Sequence, residues 1–213
     1  MVILNGVVGN NTHRKLDTGE FRGFALVDEY APLIFINNAD FKAAQMFTLV
    51  HELVHVWAGA EGVSHFGDPL VPLPHEIEQF CNKAAAEFLV PEVELRDVWN
   101  QAPEERRYDF LARHFKVSTL VAARRALDLK LIDQEAYFEF YRAWEEDERR
   151  ERLSGEGGGN FWNNQNFRVG KRFGSAIVRA VKEGRLLYRD AYSLTGLKGE
   201  TFDKLVQRFG DGL

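Results

Sequence analysis

The spacing of apolar residues at the start of the chain predicts β-strands. Three short segments rich in β-branched and aromatic residues, 1–8, 21–27 and 33–36, lie within the first forty positions. Glycine, asparagine, aspartate and proline separate them, as expected of turns between strands. The sequence therefore predicts a small N-terminal β-sheet.

Beyond residue 40, apolar positions recur every three or four residues, which is the helical period. A cap signal at 37–40 predicts a first helix over 41–59. A loop rich in glycine and proline, 62–74, precedes a second helix over 75–90 that ends at Pro91. Further helices are predicted from Glu92 onward, over 104–115, 118–129, 134–153 and 167–183, and as two short helices within 188–209. Strands followed by helices predict an α+β fold.

Composition narrows the class of protein. The chain has 213 residues, of which 45% are hydrophobic, enough to bury a core. The net charge of -5 argues against a nucleic-acid binder as a whole, yet residues 157–213 hold ten Lys/Arg against five Asp/Glu. A single cysteine, Cys81, excludes an internal disulfide and a Cys-rich zinc finger. No segment has the length of a membrane span, and the N-terminus lacks a basic leader, so we expect a cytoplasmic protein.

Changes in composition predict four parts along the chain. Residues 1–100 contain the strands and the first helices and form a predicted core. Residues 101–153 form a predicted helical subdomain, and the glycine-rich residues 154–160 a linker. Residues 161–213 form a basic C-terminal helical segment.

The first predicted helix carries an H-E-x-x-H motif, formed by His51, Glu52 and His55. Helical residues four apart share a face, so both histidines can bind one ion from adjacent turns. Glu52 lies beside them, where it can hold a water molecule. Zinc peptidases use this arrangement. The motif alone also occurs by chance on ordinary amphipathic helices.

A catalytic zinc takes three protein ligands and leaves one position open for water. One known arrangement places a third histidine six residues after the second, but this chain has Glu61 there. Glu78, on the second predicted helix, can reach the ion instead. Asn82, one turn later, can accept the ring N–H of a ligand histidine. On an ordinary helix these would be a surface carboxylate and a simple polar contact, beside a packing face that we predict to contain Ile77, Cys81, Ala84, Ala85 and Phe88.

The chemistry of this residue set predicts peptide hydrolysis. Zinc lowers the pKa of a bound water from about 15.7 toward about 7. Glu52 would act as the general base, taking the proton as the water attacks a peptide carbonyl and passing it to the leaving amine. Two histidines and a carboxylate also suit Mn²⁺ or Fe²⁺. The sequence therefore predicts a metallo-endopeptidase, with zinc as the expected ion.

Two segments resemble the ImmA/IrrE family of metallopeptidases. Residues 45–55 read QMFTLVHELVH and residues 77–91 read IEQFCNKAAAEFLVP. The family usually has F-T-L-A-H-E-L-x-H, followed by I-E-x-x-x-N-x-F-A-A-E-L-L-x-P. Weaker similarity at 21–24, 34–37, 157–161 and 184–191 extends the resemblance over most of the chain. Ala84 departs from the usual phenylalanine, which changes packing and leaves the ligand positions intact.

This resemblance implies a gluzincin-like fold, in which a small β-sheet packs on the motif helix and a second ligand helix. It implies His51, His55 and Glu78 as metal ligands and Glu52 as the catalytic residue. Family members are bacterial or phage regulators, and several cleave a repressor. The resemblance thus implies a specific regulatory protein, such as a repressor, as substrate. The alternative is a DNA- or protein-binding transcriptional regulator, or an antitoxin-like component, whose metal site is structural or vestigial.

Other features have ordinary interpretations beside functional ones. Residues 111–127 resemble a helix-turn-helix with Arg124 and Arg125 on its second helix, although a plain supporting subdomain is the favoured interpretation. The basic tail has a similar pattern at 191–202, so weak DNA contact through the helical parts is the alternative. His65 and His75 can donate to an oxyanion, but we favour solvated loop histidines. We expect Cys81, Trp57 and Phe80 to be core residues.

Overall fold

The computed structural model describes residues 1–8, 13–60, 62–64, 76–152 and 169–210. The described residues form two compact units. The sheet unit takes its residues from 1–40, 62–64 and 169–210, and the helical unit from 41–60 and 76–152. Strands and helices are both present, which confirms the predicted α+β class. The four-part division of the chain stays a prediction.

A four-stranded sheet lies in the sheet unit, in the order β1-β3-β2-β4. The strands are β1 (Val2–Asn5), β2 (Gly23–Leu26), β3 (Leu33–Asn37) and β4 (Gly62–Ser64). β1 runs parallel to β3, whereas β2 is antiparallel to both β3 and β4. The first three strands were predicted. β4 lies in the predicted loop over 62–74, so that prediction is wrong for three residues, because so short a strand carries no usable alternation.

The turn after β3 corrects the predicted cap of the first helix. Asn37 is buried, donates its side-chain amide to the Phe21 carbonyl at 3.1 Å and accepts from the Ala39 N–H at 3.0 Å. The N-cap position itself belongs to Phe41, whose side chain makes no capping hydrogen bond. The polar cluster at 37–40 therefore closes a turn before the helix and does not cap it.

Six helices are described in the helical unit. Gly59 ends α1 in the left-handed conformation, at φ 67°, which glycine adopts without a steric penalty. Pro91 separates α2 from α3, and the Ser118 hydroxyl caps α5 by accepting from the Val121 N–H at 3.1 Å. The helices are α1 (Lys42–Ala58), α2 (Glu76–Leu89), α3 (Glu92–Trp99), α4 (Arg107–Phe115, after a 3-10 turn at Glu104–Arg106), α5 (Thr119–Asp128) and α6 (Gln134–Arg152).

The helices α4 and α5 correspond to the segment that resembles a helix-turn-helix. Arg125 is buried; its Nε donates to the Val90 carbonyl at 3.0 Å and its guanidinium pairs with Glu87. Arg124 pairs with Asp128 at 3.2 Å on the same helix. Both arginines are thus engaged in contacts within the helical unit. These contacts favour the interpretation of α4 and α5 as supporting helices.

The C-terminal residues form a three-helix bundle of α7 (Lys171–Lys182), α8 (Tyr188–Thr195) and α9 (Glu200–Gly210). Gly196 ends α8 with φ 67° and begins the short connection to α9. The bundle has its own apolar core, made by Ile177, Val178, Val181, Ala191, Leu197, Phe202, Leu205 and Phe209. None of the helices described is long and apolar enough to cross a membrane.

Candidate metal centre

The helix α1 buries a polar face. His51, Glu52 and His55 are each 0% exposed. Gln45 and Thr48 are also buried on this helix. Sequence reasoning did not single out these last two, although their positions, seven and four residues before Glu52, place them on its side of the helix. Polar residues at helical spacing around the motif were the signal that could have found them.

The helix α2 faces α1 with a different set of residues from the one predicted. Cys81 and Ala85 are buried as expected, but Phe88 is 64% exposed. Trp57 and Phe80, also predicted as core residues, are 68% and 57% exposed. The inner face of α2 instead runs through Glu78, Cys81 and Ala85. The buried face of α2, which also includes Ala86, is therefore displaced around the helix from the predicted one, away from Phe80 and Phe88.

Two ring nitrogens of α1 and the carboxylate of Glu78 on α2 lie close together. Glu78 Oε2 lies 3.1 Å from His51 Nε2, and Glu78 Oε1 lies 3.2 Å from His55 Nε2. The two Nε2 atoms lie 3.0 Å apart. The structure therefore brings together the three residues that the sequence predicted as ligands, and these three can hold a metal ion.

The spacing of these atoms fits a small divalent cation. A tetrahedral zinc shell with bonds of about 2.0 Å places its ligand atoms about 3.3 Å apart. The separation of the two Nε2 atoms, 3.0 Å, and the distance from each of them to one Glu78 oxygen, 3.1 and 3.2 Å, are close to that value. The two Glu78 distances belong to different oxygens, and one ligand atom from each residue lies within 4.8 Å of the others. Two ring nitrogens and a carboxylate that face one another in a buried site need a positive charge or shared protons between them. One metal ion provides this for all three.

The electrostatics keep two of the ligands in the form that a metal needs. The hydrogen bond from His51, with the charges of both histidines, holds the pKa of Glu78 below its ordinary value against the effect of burial. Burial is the main reason that the pKa of His55 is also lowered, although Glu78 opposes that change. Glu78 is therefore a carboxylate and His55 a neutral ring near pH 7, the states that bind metal.

The buried Cys81 lies on α2, three residues after Glu78. Burial raises the pKa of its thiol to about 11, and the charges of Glu78 and Glu52 act in the same direction. Glu52 itself follows the candidate ligand His51 directly in α1 and is buried with it. The thiol stays protonated at neutral pH and behaves as a small core residue, as predicted.

Three other predicted site residues have different outcomes. Asn82 lies on α2 one turn after Glu78, and its Oδ1 is buried without a hydrogen bond to any described residue. Its predicted contact with a ligand histidine stays a prediction. His65 and His75 lie outside the described residues.

A cavity of about 430 Å³ between α2 and α5 is lined by Phe80, Lys83, Ala84, Glu87, Arg125 and Asp128, away from the ligand atoms.

Comparison with known protein families agrees with this site. A family model described as a domain of unknown function matches residues 169–208, the three-helix bundle. No curated protein and no solved structure gives a significant match. The model of the IrrE N-terminal-like domain, a family of metal-dependent peptidases, matches residues 9–127. Because this match covers more than half of the chain and includes the ligand cluster, the chain belongs to the peptidase family of IrrE N-terminal-like domains.

Proposed function

We propose that this protein is a zinc-dependent endopeptidase that hydrolyses a peptide bond in a specific regulatory protein. The observation that carries the proposal is the convergence of the buried His51 and His55 with the partly buried Glu78. The buried Glu52 follows His51 directly in α1. Burying this many polar groups between two helices is unfavourable for folding unless they are well paired. A hydrolytic centre explains why they lie together.

Glu52 performs the proton transfers in the proposed reaction. Its carboxylate takes a proton from water as the oxygen attacks the peptide carbonyl, and delivers that proton to the amine that leaves. The complete burial of Glu52 excludes bulk water from its carboxylate. Exclusion of bulk water strengthens the electrostatic interaction between the base and the developing charges.

His51, His55 and Glu78 hold the ion and fix its position between α1 and α2. Zinc, when bound, supplies a water of lowered pKa and polarises the substrate carbonyl. Asn82 is proposed to orient a ligand histidine by accepting its ring N–H, since its buried oxygen lies one turn from Glu78. Mn²⁺ and Fe²⁺ accept the same ligand set, and elemental analysis of protein purified without added metal distinguishes the three.

The substrate part of the proposal rests on the resemblance to the ImmA/IrrE family. Regulators of that family act on repressors, so we infer a DNA-binding repressor as the protein that is cleaved. The alternative, a binding protein with a vestigial metal site, gives Glu52 no role. A structural zinc site is commonly closed by four protein ligands, whereas the metal-ligand cluster found among the described residues has three.

Two substitutions in the site separate hydrolysis from metal binding. Glu52→Gln keeps the shape of the side chain and removes the base, so we expect bound metal at one equivalent and activity about 10²- to 10⁴-fold lower. Glu78→Ala removes a ligand, so we expect both metal and activity to be lost. Metal is measured by elemental analysis, and activity by mass spectrometry of new protein N-termini in a lysate of the source cells.

The outcomes test each level of the proposal. Full activity of Glu52→Gln, or no cleavage by metal-loaded wild-type protein, contradicts the peptidase function. Stoichiometric metal in Glu78→Ala contradicts the ligand assignment. Cleavage spread over many unrelated proteins retains the hydrolysis and overturns the inferred repressor substrate.

A further inference from the structure

The helix α7 presents an outer face whose charged side chains are all basic. Lys171–Lys182 contains four Lys/Arg and no Asp/Glu. Arg172 and Arg179, seven residues apart, are both exposed on the same side of the helix. With a rise of 1.5 Å per residue, the two arginines are about 10 Å apart along the helix. We call Arg172 and Arg179 the basic row.

Three described ion pairs of the bundle involve cations other than Arg172 and Arg179. Arg185 pairs with Glu183, Arg189 with Asp190, and Lys204 with Glu200. Arg172 and Arg179 make no ion pair with any described residue. Local acidic residues therefore neutralise cations of α8, α9 and the α7–α8 connection, while these two guanidinium groups remain available for an external anion.

The side chains between Arg172 and Arg179 indicate which kind of anion the basic row binds. Ser175 and Ala176 lie between them on α7, and Ala176 is exposed. Both are small and leave the row without an aromatic anchor. Interfaces between proteins enrich aromatic residues and methionine at their centres, whereas nucleic-acid interfaces are polar and strongly positive. The exposed apolar residues of the bundle, Leu187, Tyr188 and Leu194, lie at or within α8 instead.

The geometry points to α7 as a contact surface for the phosphate backbone of nucleic acid, and we propose that the basic row binds DNA without base recognition. Guanidinium groups form paired hydrogen bonds with phosphate oxygens. A row of about 10 Å runs along about three phosphates of one strand. The helix α9 is poorly suited to enter a groove, because Glu200 and Asp203 place two carboxylates in its first turn. This surface lies outside the metal centre and is independent of the peptidase proposal.

Salt dependence of DNA binding by the full chain tests the basic row. Fluorescence anisotropy with a labelled duplex of about 20 bp gives the affinity at salt concentrations from about 50 to about 200 mM. Each phosphate contact contributes about 0.9 to the slope of log affinity against log salt. Arg172→Gln/Arg179→Gln should lower that slope by about 1.8, so its affinity should fall about twelvefold less than the wild type over this range.

The matched control is Arg185→Gln/Arg189→Gln, which removes the same charge from the same bundle at arginines that have acidic partners. We expect this variant to keep the wild-type slope. If both variants lower the salt slope equally, the proposal that the basic row binds DNA is contradicted, and the DNA is attracted by net charge alone. No binding of the wild type at low salt overturns the proposal. Equal or tighter binding of a labelled poly-glutamate chain also overturns it, in favour of an acidic protein partner.

Discussion

The α1–α2 pair and the bundle of α7, α8 and α9 bury opposite kinds of side chain. The bundle is closed by apolar residues, and Thr195 is the buried polar residue among its described positions, with its hydroxyl bonded to the Ala191 carbonyl at 2.8 Å. The helix α1, in contrast, buries polar residues along one face: Gln45, Thr48, His51, Glu52 and His55. Two helical regions of one chain therefore follow different rules of packing.

Stability explains the bundle and does not explain the metal centre. A fully buried large apolar side chain contributes about 1.5–3 kcal/mol relative to an exposed one. A buried polar group left without a partner costs about 1–3 kcal/mol. The bundle is stabilised by buried apolar side chains. Where α1 and α2 meet, polar side chains occupy positions that apolar ones could fill. We infer that the polar cluster between α1 and α2 serves the proposed reaction, since packing stability alone does not favour it.

Phe202→Ala should have the largest effect on the bundle and none on the metal centre. The Phe202 ring is 0% exposed and packs edge-on against Tyr188 and Tyr192. Its removal should cost about 3–5 kcal/mol of the free energy of unfolding of the bundle. Hydrogen exchange of the α7–α9 amides measures that loss locally. If metal stoichiometry fell together with the protection of the bundle, the separation of the two regions would be contradicted.

Asn82→Ala should affect the metal centre and leave the bundle unchanged. Its effect should be smaller than that of Phe202→Ala. If the Asn82 oxygen orients a ligand histidine, its loss should weaken metal binding about 10- to 100-fold, as loss of such contacts does in other metal sites. That factor corresponds to about 1.4–2.7 kcal/mol. Competition with a chromophoric chelator measures the affinity. Asn82→Asp retains the acceptor and should restore most of it, whereas a lower melting temperature with unchanged affinity would assign Asn82 a purely structural role.

The sequence predicted which three residues converge, because helical geometry places His51 and His55 on one face and a catalytic zinc site would need a further ligand from another element. Their role as metal ligands stays a prediction. Most helix bounds were also predictable, since Pro91, Ser118 and the glycines at helix ends act locally. These features depend on a few neighbouring residues.

Features that depend on tertiary contacts were not predictable. The strand β4 exists through its backbone pairing with β2. The turn at 37–40 is set by the contact between Asn37 and the Phe21 carbonyl, sixteen residues away. The buried face of α2 was predicted only in part: Cys81 and Ala85 are buried as expected, whereas Phe80 and Phe88 are exposed, because apolar periodicity assigns phenylalanines to the core.

Phe88→Ala should have the smallest effect and sharpens the comparison with Phe202→Ala, since both remove the same phenyl ring from a helix. Phe88 is 64% exposed on α2, so its loss creates no cavity and should change the free energy of unfolding by no more than about 0.5 kcal/mol. Urea denaturation followed by circular dichroism measures the change. A loss above about 2 kcal/mol would mean that Phe88 packs in the core after all, which would restore Phe88 to the packing face predicted from the sequence.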